Sequence, residues 1–151
     1  GIIVKGLYDV AVHFSKCCSP VPGDEIVGFV TRGRGVSIHR TDCINIINLS
    51  DMERERLIDA EWQHDEESGS SGLYLAEIKV FCNNRTGLLV DITRAFTERE
   101  IDINAIHSKT SKQGIATIDI SFNTKGKAEL TSVIDKLRQI DSIIDIERTT
   151  G

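Results

Sequence analysis

The chain has 151 residues, 40% hydrophobic and 27% charged, with a net charge of −5. That is ordinary for a globular protein, with room for one domain or two small ones, and no apolar run approaches the roughly 20 residues needed to cross a bilayer. The charge divides as 7 basic and 9 acidic groups over residues 1–62, three acids over 63–72 and 11 of each sign over 73–151, so overall charge gives no basis for non-specific nucleic-acid binding.

The chain opens in the strand-like Gly1–Lys5 with no initiator methionine and no signal-like leader, as expected of a piece of a longer protein. The first half predicts strands at Ile2–Val4, Glu25–Thr31, Gly35–His39 and Leu57–Trp62, and a helix over Asp42–Leu49 capped by Thr41 or Asp42. Ile44, Ile47 and Leu49 would face inward on that helix. His13, between Val12 and Phe14, reads as a partly buried histidine. A unit of about 60 residues buries a marginal core, so a metal or a partner would help it fold.

Between the first two strands lies Cys17-Cys18-Ser19-Pro20-Val21-Pro22-Gly23-Asp24, answered downstream by His39 and Cys43. Both prolines of the chain and four glycines (Gly23, Gly28, Gly33, Gly35) fall within residues 17–43, which demands sharp turns. Three thiols and an imidazole suit zinc, which takes about four soft or borderline ligands. Against this, Cys17 and Cys18 are adjacent, and neighbours in an extended segment point to opposite faces. The other reading is small buried thiols packing a compact turn, with His39 hydrogen-bonded to them or to backbone. A disulfide framework is not expected, because a cytoplasmic address would keep the thiols reduced. Arg32, Arg34 and Arg40 form a local basic cluster, and Gly33 and Gly35 would let backbone approach a phosphate. From spacing alone the favoured reading of these arginines is a solvated hairpin tip.

Residues 63–72, Gln-His-Asp-Glu-Glu-Ser-Gly-Ser-Ser-Gly, hold no apolar side chain and read as a flexible linker. Residues 73–151 then form a second unit. Leu73–Cys82 alternates as a strand with Tyr74, Ala76, Ile78, Val80 and Cys82 on one face. Leu88, Leu89, Ile92, Ala95 and Phe96 are spaced as a helix face. Ile101–Lys109 is a strand, a turn follows at Ser111–Gly114, and Ala116, Ile118, Ile120 and Phe122 alternate. Leu130, Val133, Ile134 and Leu137 form a second helical stripe, and Ile143–Arg148 closes the unit as a strand. The order β-α-β-β-α-β predicts a ferredoxin-like sheet with both helices on one face.

The Cys17-Cys18-Ser-Pro-Val-Pro-Gly-Asp24 run, Gly28-Phe-Val-Thr-Arg-Gly-Arg-Gly-Val36 and His39-Arg-x-x-Cys43 resemble the zinc-finger-like, ribosome-contacting module of the Rel/SpoT stringent-response enzymes, which make and often hydrolyse (p)ppGpp. Residues 73–151 resemble that family's terminal ACT domain. The resemblance implies an α+β chain: a zinc-finger-like α/β module over 1–62, the linker 63–72, and a ferredoxin-like βαββαβ ACT domain over 73–151. It implies a zinc site at Cys17, Cys18, His39 and Cys43. It makes Arg32, Arg34 and Arg40 contacts to ribosomal RNA and uncharged tRNA, and it implies a cytoplasmic homodimer through the ACT domain. ACT domains also hold amino-acid effectors at a strand-to-helix corner, here Asn84, Arg85, Gly87 and Leu88 facing Asn104. That makes a branched-chain amino acid the candidate ligand, although Asn84 replaces the usual acid. On this resemblance Gly87→Val would block the ligand without harming the fold, provided Gly87 needs no positive φ. The family's catalytic domains lie upstream, and no His-Asp pair or glycine-rich nucleotide loop replaces them here, so this chain is read as regulatory and not as an enzyme.

Overall fold

The computed structural model describes residues 1–7, 9–63 and 72–149; most of the expected linker, residues 64–71, lies outside them. Two compact units result, one within Gly1–Gly72 and one over Leu73–Thr149. Both are α+β, as expected from the sequence.

In the first unit β1 (Ile2–Val4) is followed by β2 (Val12–Phe14), β3 (Ile26–Val30) and β4 (Val36–Arg40). Then come two single-turn helices, α1 (Ile44–Ile47) and α2 (Asp51–Arg54), and the strands β5 (Leu57–Ile58) and β6 (Ala60–Trp62). One sheet has the order β2-β4-β3-β5, with β2 parallel to β4 and the other pairs antiparallel; β1 and β6 pair separately. The sequence reading missed β2, because three residues are too few to show a period. It also read Leu57–Trp62 as one strand. The chain breaks at Asp59, whose carbonyl accepts from Lys5 N–H, and the two halves serve different sheets.

The predicted helix over 42–49 is corrected in three ways. It begins after Cys43, it lasts one turn, and Ser50 restarts the chain with a capping box to Glu53. Its inward residue is Ile46, which packs with Cys18 and Cys43, while Ile44 and Ile47 are 48% and 56% exposed. A single turn anchored at Cys43 can present only one side chain to that cluster. A second small core joins Val4, Val36 and Ile38.

The second unit runs β7 (Tyr74–Asn83), α3 (Leu88–Thr97), β8 (Ile103–Thr110), β9 (Ile115–Thr124), α4 (Lys127–Arg138) and β10 (Ile143–Arg148). The sheet order is β10-β7-β9-β8 with every pair antiparallel, the ferredoxin-like arrangement the periodicities predict. Ala76, Ile78, Val80 and Cys82 of β7 and Ala116, Ile118, Ile120 and Phe122 of β9 are buried, as are Leu88, Ile92, Ala95 and Phe96 of α3 and Leu130, Val133 and Leu137 of α4. Phe96 meets Phe122 edge to face at 5.0 Å, a favoured aromatic geometry. Leu89, expected inward, is exposed. Cys82 is a core thiol, as its strand face implies.

Candidate metal centre and its surroundings

Residues 16–18 form turns, and Ser19 takes φ +46 with its N–H donating to Ser15 C=O at 3.0 Å. This turn removes the difficulty posed by the adjacent cysteines. Opposite orientation applies to extended chain, whereas here the Cys17 and Cys18 sulfurs lie 4.0 Å apart. His39, from β4, brings Nδ1 to 3.4 Å from Cys17 Sγ and 3.9 Å from Cys18 Sγ. Cys43, at the start of α1, places its sulfur 3.4 Å from that of Cys17. All four donor atoms lie within 4.8 Å of one another.

Ligands on a tetrahedral zinc ion, at about 2.3 Å for sulfur and 2.1 Å for nitrogen, stand roughly 3.5–3.8 Å apart. Four of the six separations, at 3.4–4.0 Å, bracket that spacing, all six are within 4.8 Å, and the Cys₃His donor set suits zinc. The four residues could therefore hold a metal ion.

The surroundings support that role. Burial tends to raise the Cys17 thiol, but hydrogen bonds with Ser15, Asn45, Cys43 and Cys18 outweigh it and leave the thiol below its ordinary value. Burial pushes Cys18 up, against a backbone N–H from Arg40, and pushes Cys43 up as well. Burial, helped by the charge of His13, lowers His39 and keeps it the neutral imidazole that a metal needs. Ser15 Oγ stands 2.9 Å from Cys17 Sγ, Ser37 Oγ 3.0 Å from His39 Nε2, and Arg40 N–H donates to Cys18 Sγ at 3.3 Å. Metal ligands are characteristically oriented by such partners. The sequence reading missed Ser15 and Ser37; for Ser37, a serine two residues before a ligand on a strand shares its face, which is the signal available, whereas Ser15 is brought to Cys17 by the turn.

Arg32, Arg34 and Arg40 are not brought together. Arg32 and Arg34 are exposed at the β3–β4 tip, which is closed by Thr31, whose N–H and hydroxyl both donate to Gly35 C=O. Arg40 pairs with Ile26 at the open end of the hairpin. It is 5% exposed, forms a two-pronged pair with Asp42 at 2.9 and 2.7 Å, and donates to Cys18 C=O at 3.2 Å. Its guanidinium pins the cysteine turn to β4, away from the exposed tip that carries Arg32 and Arg34.

The effector corner is likewise divided. Gly87 caps α3 at φ +81, so the valine substitution would strain the backbone whatever the ligand does. Arg85 pairs with Asp91 at 2.7 Å, Asn84 N–H donates to Gly114 C=O, and Leu88 is buried. Asn104 lies at the far end of the sheet: β9 pairs Ile115 with Asn83 but Phe122 with Ile103, roughly 23 Å along the strand. The Asn104 side-chain amide is engaged reciprocally with Asn123 at 3.1 and 3.3 Å. Within one chain, Asn104 does not face residues 84–88.

Residues 2–63 match the RelA/SpoT RIS domain and residues 70–148 match the ACT domain. The chain is 39% identical over 151 residues to a GTP pyrophosphokinase of Streptomyces coelicolor, covering 100% of this chain and 17% of that protein. It is 39% identical over 151 residues to a GTP pyrophosphokinase of Escherichia coli K12, covering 99% of this chain and 20% of that protein. Among solved structures, the ACT domain from GTP pyrophosphokinase of Chlorobium tepidum is 27% identical over 51% of this chain and 99% of that one, with a TM-score of 0.46. The chain spans a fifth or less of the length of the curated relatives, and the part it matches is their regulatory RIS and ACT region. A RIS domain followed by an ACT domain, with identity to those proteins along its whole length, makes this chain a member of the RelA/SpoT family.

Proposed function

We propose that this chain is a non-catalytic regulatory segment that senses amino-acid starvation through ribosome and uncharged-tRNA contact and controls the (p)ppGpp synthetase and hydrolase domains of a cytoplasmic GTP pyrophosphokinase. The observation that carries this is the pairing of a RIS and an ACT domain in one chain. The Cys17, Cys18, His39 and Cys43 cluster would hold a structural zinc ion: four protein donors leave no open position for chemistry. The RNA contact would be the hairpin tip with Arg32 and Arg34, whose side chains are exposed beside left-handed glycines at positions 33 and 35.

Charge reversal at both Arg32 and Arg34 should weaken ribosome pelleting and flatten its salt dependence, because each lost phosphate contact lowers the counterion slope by about one. Arg40→Ala is the control: it should lower stability, through loss of charged hydrogen bonds, and leave that slope alone. A double mutant that pellets with unchanged salt dependence would refute the assignment.

The ACT unit would supply self-association, because among the described residues β8 and β10 leave both edges of its sheet unpaired. A branched-chain amino acid sensed at residues 84–88 is the alternative reading. It would need a second copy to supply Asn104. Light scattering with and without millimolar valine, isoleucine or leucine tests both: a strict monomer at high micromolar concentration counts against both.

A further inference from the structure

We infer that Ser37 is the positioning residue that holds the ring proton of His39 on Nε2 and so leaves bare the nitrogen beside the Cys17 and Cys18 thiols. Its consequence for metal affinity rests on the zinc reading above; its geometry does not.

Ser37 and His39 alternate on β4, so their side chains lie on one face. Ser37 is buried, and its Oγ has two polar neighbours: His39 Nε2 at 3.0 Å and the backbone oxygen of Phe29 at 3.4 Å. Phe29 is its register partner on β3. A carbonyl oxygen can only accept, so the Phe29 contact is one that the serine hydroxyl donates, at 3.4 Å. The lone pair of Oγ is then left to accept, and the proton it faces is one on His39 Nε2. A neutral imidazole carries one ring proton, and holding it at Nε2 leaves Nδ1 bare. Nδ1 is the nitrogen that points to Cys17 Sγ at 3.4 Å and to Cys18 Sγ at 3.9 Å. The chain of polarity runs from a β3 carbonyl through Ser37 to His39 and ends in a lone pair aimed among the thiols. Alanine at position 37 would release this constraint, and the tautomer with N–H directed at the sulfurs, which cannot ligate, would become populated.

The test uses the whole chain labelled with ¹⁵N-histidine. Long-range ¹H–¹⁵N correlation on the metal-free protein should show the His39 proton on Nε2 in the wild type and a mixture in Ser37→Ala. Competition against a chelator should show the zinc dissociation constant of Ser37→Ala raised about tenfold or more, as expected when a ligand-orienting partner is lost. Ser37→Thr, which keeps the hydroxyl, should restore both. A wild-type His39 protonated at Nδ1, or a Ser37→Ala variant with wild-type tautomer and zinc affinity, overturns the inference. If the wild type takes up no zinc, the metal reading fails by itself and the tautomers alone decide the role of Ser37. If Ser37→Ala does not fold, the wild-type tautomer and the Ser37→Thr variant decide it.

Discussion

Replacing Cys43 by serine is expected to abolish zinc uptake and to lower the melting temperature of the first unit by more than about 10 °C. Cys43 is 0% exposed, caps α1 and packs with Cys18 and Ile46, so the substitution acts twice. A ligand is lost, and with it a linkage contribution of about 4 kcal/mol when zinc stands at a thousand times its dissociation constant. A hydroxyl also enters an apolar cluster, at a cost of about 1–3 kcal/mol if it finds no partner. For a unit of this size each kcal/mol moves the midpoint by about 4–8 °C. The two contributions separate experimentally. With metal stripped from both proteins, wild type and variant should differ only by the packing cost, and restoring zinc should raise the wild type alone. Zinc loading should also release protons in weak buffer, since the Cys18 and Cys43 thiols are held above their ordinary values. Wild type purified from zinc-supplemented medium with under about a tenth of an equivalent of zinc would sink the metal half of this account.

Gly35→Ala should unfold the first unit while leaving the second intact. Gly35 sits at φ +75, a conformation that costs an L-residue about 1 kcal/mol or more, and an added Cβ would overlap the carbonyl oxygen of Ala11. That carbonyl accepts the Val36 N–H at 2.8 Å, the bond that seats β2 against β4. Relief would require moving the segment that leads to the cysteine turn, so the expected cost is on the order of 3 kcal/mol or more. Gly33, also at positive φ but with open space for 4 Å around the place a Cβ would take, offers the comparison: Gly33→Ala should cost only the backbone strain, about 1 kcal/mol. Amide spectra read both outcomes. A Gly35→Ala protein with unchanged dispersion in residues 9–63 and an unchanged melting curve would show that the Ala11 approach is not required.

The two halves of the chain differ in how far their sequence announces their structure. In residues 73–149 the alternation of Ala76 to Cys82 and of Ala116 to Phe122, and the helical stripe of Leu130, Val133 and Leu137, all agree with the observed sheet and helices. These elements are six to twelve residues long, enough for a period of 2 or 3.6 to declare itself. The first unit is built from strands and helices of two to five residues, in which no period can be counted. Its β2, the break at Asp59 and the inward turn of Ile46 therefore depend on partners distant in the chain.

The donor set of the metal centre is present in the sequence as chemistry, three thiols and an imidazole within residues 17–43. Whether Cys17 and Cys18 can act together is decided by the turn at Ser19, because side-chain direction follows backbone dihedrals and not adjacency. Arg40 has the same composition-level signature as Arg32 and Arg34, yet only the tertiary fold shows it buried against Asp42 and Cys18 C=O. Asn104 and the Asn84–Leu88 corner are each legible as local motifs, but strand register sets them at opposite ends of one sheet. Residue types and periods are thus determined by the sequence itself. Which polar groups meet is decided by tertiary structure, since hydrogen bonds and ligation act over about 3–4 Å between residues whose separation along the chain says nothing about their distance in space.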